Sequence, residues 1–124
     1  MATPSRGLNI AAWVASALLF LLFTVLASPP KLLGDPQAVE GFIKQGYSDG
    51  FRLFIGAAEF LGGIALLIPR LAFWSALGLI IIMIGAAYTH IANDDAANVA
   101  PALVALALLL FIAYVRRSQA LLLS

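Results

Sequence analysis

Cysteine is absent from the 124 residues. That excludes disulfide frameworks, thiolate metal sites, iron–sulfur ligation and thiol–disulfide exchange by this chain. It leaves the redox compartment undetermined. Charge is scarce as well. Asp, Glu, Lys and Arg make up only 10% of the residues and the net charge is +1, so nothing points to a nucleic-acid partner. The single histidine, His90, has no second ligand at i+3 or i+4, and no metal site is expected from it. There is no HExxH, no phosphate-binding glycine loop, no dinucleotide fingerprint and no Ser/His/Asp set in a plausible context. No internal repeat is visible.

Apolar residues are what the chain has instead. They form 63% of it, against roughly 45–50% in an ordinary soluble domain, and the mean hydropathy is +1.03. A soluble fold of this length has too little interior to hide that much apolar surface, so the lipid bilayer is the expected solvent for much of it. Four runs approach spanning length, at about 8–27, 51–68, 71–91 and 99–115. The expected fold is all-α. It is a single domain over 1–124, a bundle of four transmembrane helices with a short interfacial amphipathic helix between spans one and two.

Residues 1–9 are polar, with Arg6 their one basic side chain. A signal peptide competes for the first run, because Val25-Leu26-Ala27 resembles a processing site. The run exceeds the 7–15 residues usual for a signal core, which favours a retained span. Ser28-Pro29-Pro30 is expected to end it, since proline cannot continue a helical ladder. In the loop that follows, Asp35-Pro36 reads as a helix cap with proline at the first helical position. Val39, Phe42 and Ile43 share one face, Glu40 and Lys44 form an i, i+4 pair, and Gly46 is a plausible terminator. Pro69-Arg70 is expected to make a hairpin between spans two and three. Trp74 and Tyr88 suit the two interfaces of span three. Asn93-Asp94-Asp95 reads as a polar turn, Pro101 sits in the first turn of span four and Arg116-Arg117 ends it. The apolar tail 118–124 is too short to span.

Four spans put both termini on one side. Arg6, Arg70, Arg116 and Arg117 then face Lys31, Lys44 and Arg52 across the membrane. The larger basic count places both termini in the cytoplasm.

Glu59 is the leading candidate for function, because an ionisable group deep in a span is costly and calls for a partner or a task. It lies about 12 Å below Phe51 at 1.5 Å per residue. Arg52, Gly56, Glu59 and Gly63 follow one another at helical spacing and form a stripe. The glycines allow another helix to approach, so the stripe is expected to face protein. Gly62, Gly78 and Gly85 read as further helix-packing positions. Glu59 then serves either as interhelical glue or as a proton relay or ligand anchor. Lys31, Arg52 and His90 are expected at one mouth, as a cationic rim above Glu59. Each also has a plain reading as an interfacial side chain. These four are the candidate ligand-binding residues, and Glu59 alone is a candidate catalytic group.

The pieces Lys31-Leu32-Leu33-Gly34, Glu40-Gly41-Phe42, Gly46-Tyr47, Ile55-Gly56-Ala57-Ala58-Glu59, Leu66-Leu67-Ile68-Pro69-Arg70 and Met83-Ile84-Gly85-Ala86-Ala87-Tyr88-Thr89-His90 together resemble the DoxX-like family of small four-span bacterial membrane proteins. Lys31, Glu59 and Arg70 match recurrent family positions. The resemblance implies a bacterial inner membrane protein, often labelled as redox-associated. It also implies work beside a redox-enzyme subunit and a quinone pool. Quinone is the one cofactor it suggests, and homo-oligomers are a further expectation. Relatives that handle thiols do so through cysteine, which this chain lacks. Two roles follow: an accessory or quinone-linked membrane subunit, or a small membrane enzyme or proton-coupled carrier centred on Glu59.

Overall fold

A computed structural model of the chain describes residues 3–93 and 95–123. Met1 and Ala2 of the polar start, Asp94 of the expected turn and Ser124 of the tail lie outside the described residues. The described residues are helical throughout, with no strand among them. Five helices carry the fold: α1 (Arg6–Leu33), α2 (Pro36–Lys44), α3 (Asp49–Ala65), α4 (Pro69–Ala92) and α5 (Val99–Arg116). Short 3-10 turns, Ala96–Asn98 and Arg117–Gln119, extend α5 at each end. Three helices are long and apolar enough to cross a membrane: α1, α4 and α5 with its flanking turns. The helix expected as span two, α3, has 17 residues and falls short of them.

The first helix does not stop at Ser28-Pro29-Pro30, as expected from its prolines, but runs on to Leu33. A π-helical stretch, Leu21–Ala27, makes this feasible. The Ser28 amide bonds five residues back, to the Phe23 carbonyl, so Pro29 and Pro30 occupy a new first turn where no N–H is required. The Thr24 carbonyl would then look to residue 29 for a donor, and proline has none. The Ser28 hydroxyl replaces it, donating to that carbonyl at 3.0 Å. Gly34, at φ +73°, ends the helix in the left-handed conformation that glycine adopts without strain.

Other signals land where the sequence puts them. Asp35 caps α2 by accepting from the Gln37 amide at 3.2 Å, with Pro36 next. Gly46, at φ +88°, closes α2. Its amide bonds the Ile43 carbonyl and the Tyr47 amide bonds that of Phe42, which fills the carbonyls orphaned at the helix end. The face of α2 is rotated from the expected one. Ala38, Gly41, Phe42 and Gln45 turn inward, while Ile43 is exposed. Ser48 caps α3 through the Phe51 amide. Pro69 opens α4 rather than closing α3, after a turn through Leu66–Ile68 stabilised by bonds from the Leu67 and Ile68 amides.

Alternate neighbours run antiparallel. Arg116 at the end of α5 reaches Asn9 at the start of α1, and the Leu121 amide bonds the Arg70 carbonyl. Arg6, Arg70 and Arg116 therefore lie at one end of the bundle, the base. Lys31, Arg52, His90 and Asp95 lie at the other, the crown. The core joins Leu19 and Phe23 of α1, Leu66 just after α3, Leu79 and Met83 of α4, and Leu109 and Ile112 of α5, with alanines that let α4 and α5 pack closely along their length.

Arg116 departs from its expected place at the water boundary. It is 1% exposed. Its Nη1 donates to Asn9 Oδ1 at 2.7 Å and to Gln119 Oε1 at 2.8 Å, and its guanidinium lies over the Trp13 ring. Neutral acceptors and an aromatic face hold this charge, which has no ion pair among the described residues. Arg117 is the exposed one, stacked on Tyr114.

Candidate functional site: a buried ion pair in an apolar cavity

The four residues of α3 that share one helical stripe, Arg52, Gly56, Glu59 and Gly63, are the four that the helix buries. They face α1. A Cβ on Gly56 would come within 3.0 Å of Lys31 Cβ and 3.1 Å of the Leu32 side chain, and one on Gly63 would collide with the Thr24 hydroxyl. Thr24 donates across the same seam to the Phe60 carbonyl at 2.9 Å. On the other side of α3, Gly62 meets Leu79, and Ser75 Oγ donates to the Gly62 carbonyl at 2.6 Å. Gly78 and Gly85 differ from the expected packing role. A Cβ there would meet nothing within 4 Å, and both glycines are exposed.

Close approach at Gly56 brings the end of α1 to the middle of α3. Lys31 Nζ lies 2.7 Å from Glu59 Oε1 and donates to the Ala27 carbonyl at 3.1 Å. Glu59 is 3% exposed. Its Oε1 is sealed from solvent and held by the Lys31 ammonium. The π-helical stretch sets this register. The Ser28 amide reaches five residues back to the Phe23 carbonyl, and Lys31 follows three residues later on the side that meets α3.

The pair forms part of the wall of a cavity of about 690 Å³ in the crown half of the bundle, lined by all five helices. Its walls are mostly apolar: Phe23 and Ala27 of α1, Phe54 and Ile55 of α3, Met83 and Ala86 of α4, Ala102 and Ala105 of α5. Across its top lies α2 with an aromatic cluster in which Phe42, Tyr47 and Phe51 sit 4.6–6.3 Å apart by ring centroids. Tyr47 and Thr89 share a hydroxyl–hydroxyl bond of 2.8 Å that ties this cover to α4. Such a site, apolar with a few convergent polar groups, is the usual form of a small-molecule pocket.

Of the four candidate residues, Lys31, Glu59 and His90 line this cavity. Arg52 does not. Its Nε donates to the Lys31 carbonyl at 3.1 Å and its Nη1 to Asp49 at 3.2 Å, so it caps the last turn of α1 and holds the backbone of Lys31 in place. His90 approaches the cavity from α4. Its Nδ1 lies 3.1 Å from Asp95 Oδ2, and Asn98 bonds both oxygens of that carboxylate. Lys31 therefore pairs with Glu59 directly rather than standing above it in a rim of three cations. Among the described residues no three His, Asp or Glu side chains gather as a metal site would need. Sequence reasoning missed Thr24, Tyr47, Thr89 and Asp95. The Thr24-to-Ser28 spacing just before two prolines was a usable signal for the first and the five-residue separation of Asp95 from His90 for the last, whereas the Tyr47–Thr89 contact is long-range.

No curated protein and no solved structure matches the chain. The model of one family does, the DoxX-like family, over residues 14–112. That segment contains Lys31, Glu59, the glycine seam and the Pro69-Arg70 hairpin. With three helices long and apolar enough to cross a membrane, the chain is an integral membrane protein and belongs to the DoxX-like family.

Proposed function

We propose that the protein is a four-span protein of the bacterial cytoplasmic membrane that binds a small molecule in the crown cavity, with Lys31–Glu59 as its polar anchor. The observation that carries this reading is the Lys31–Glu59 ion pair, set in the wall of an apolar cavity with the carboxylate buried. A group so costly to bury is retained most economically where it meets a ligand. The α3 helix serves as the fourth span. Its 17 residues cover about 25 Å, the short limit for crossing, and Arg52 and Asp49 stand at its crown end. The larger basic count at the base supports both termini in the cytoplasm, and the cavity then belongs to the outer half of the membrane. The family supports a further proposal, that the chain works as an accessory to a redox enzyme in contact with the quinone pool.

The test is extraction from native membranes. Wild-type protein should release a bound small molecule, identified by mass spectrometry, and Glu59→Gln should stay folded in detergent yet release none. A Glu59→Gln variant that melts lower and carries the same molecule would make the carboxylate interhelical glue and end the binding reading. Any redox partner or quinone should appear in the same preparation.

A further inference from the structure

From the walls of the cavity, we infer that its ligand comes sideways out of the bilayer, through a window between α3 and α4, and is a lipid-dissolved amphiphile with a hydroxyl head. This rests on the reading of the cavity as a binding site.

The window is framed by named contacts. Towards the base, α3 and α4 touch where Gly62 meets Leu79 and Ser75. Towards the crown, the Tyr47–Thr89 bond closes the gap. Leu79 and Thr89 are about 15 Å apart along α4. Between these limits the side chains that line the cavity also face outward: Phe54 is 66% exposed and Ile81 71%. Gly85, one turn beyond Ile81, has no side chain to narrow the gap and no neighbour within reach. On the opposite flank, an apolar groove of about 460 Å³ between α1 and α5 shares Leu22, Pro101 and Ala105 with the cavity. Both flanks are apolar, whereas the way from water is covered by α2 and the Phe42–Tyr47–Phe51 cluster. A water-soluble substrate would have to cross that cover. A lipid-soluble one meets only apolar surface like its own solvent.

The head follows from the anchor. The Lys31 ammonium has three N–H groups, of which one meets Glu59 Oε1 and one the Ala27 carbonyl, leaving one for a ligand. A hydroxyl oxygen accepts from that third N–H. The mostly apolar remainder of the cavity suits a hydrocarbon tail running towards the window.

The test is photolabelling of the full chain in phosphatidylcholine vesicles with three diazirine probes: hexadecanol, hexadecane and butanol. The labelled residues are mapped by mass spectrometry. Hexadecanol should mark Phe23 and Met83, which line the cavity and are buried from the outer surface. Hexadecane should mark only outward residues such as Ile84 and Tyr88. Gly85→Phe and Ile81→Trp, which fill the window without touching the anchor, should each cut hexadecanol labelling of Phe23 and Met83 about tenfold. Undiminished labelling in both variants, with butanol as effective as hexadecanol, would place the route in the aqueous crown and overturn the window while leaving the binding site intact. Cavity labelling by hexadecane equal to that by hexadecanol would overturn the hydroxyl head. If no probe reaches Phe23 or Met83, the window and the binding reading fail together.

Discussion

Lys31 Nζ and Glu59 Oε1 stand 2.7 Å apart on the wall of an apolar cavity, one at the end of α1 and the other in the middle of α3. The buried carboxylate depends on the cation beside it, whereas Lys31 keeps part of its side chain exposed. Lys31→Met leaves a buried carboxylate without its cation and should cost about 2–3 kcal/mol. The double variant Lys31→Met/Glu59→Leu removes both charges and should recover most of that loss. Thermal unfolding of the three proteins in one detergent checks it. Additive losses would mean that the two groups are not coupled.

The glycines of α3 and α4 should respond in opposite ways. Gly63→Ala drives a methyl into Thr24 and its backbone, and should destabilise the α1–α3 seam by about 1–3 kcal/mol. Gly78→Ala adds a methyl in open space and gains helix propensity, so stability should stay level or rise by up to about 1 kcal/mol. Melting temperatures measured side by side would expose an equal response, which the packing forbids.

Buried Arg116 offers a third comparison. Its Nη1 alone serves both Asn9 and Gln119 while the planar guanidinium lies over the Trp13 ring, a planar stacking that a lysine ammonium cannot copy. Arg116→Lys should therefore loosen the base almost as much as Arg116→Gln, whereas Arg117→Lys, at an exposed position, should be silent within about 0.5 kcal/mol. Limited proteolysis of the segment after α5 would report the loosening.

Topology can be read directly. Reporter fusions at Arg117 and at Asp95 should fall on opposite sides of the membrane, with Arg117 in the cytoplasm. Both reporters on one side would remove α5 as a span. The reverse assignment would turn the cavity towards the cytoplasm.

Much of this protein is fixed by its sequence alone. Low charge and long apolar runs dictate the solvent, because no fold of 124 residues can hide that surface in water. Helical period alone put Arg52, Gly56, Glu59 and Gly63 on one buried stripe, since neighbours at i+3 and i+4 share a face whatever packs against them. Asp35-Pro36 and Gly46 bounded α2 correctly, because capping is local chemistry.

Tertiary structure decided which charges meet. A π-helical register has no compositional signature, and it carried α1 past two prolines so that Lys31 reached Glu59. Packing turned Arg52 to the end of α1 and gave His90 its partner Asp95. It buried Arg116 on neutral acceptors and left Gly78 and Gly85 without neighbours. Apart from the His90–Asp95 contact, which lies within five residues, each of these depends on the distance between helices far apart in the chain, and periodicity within one helix carries no information about that distance.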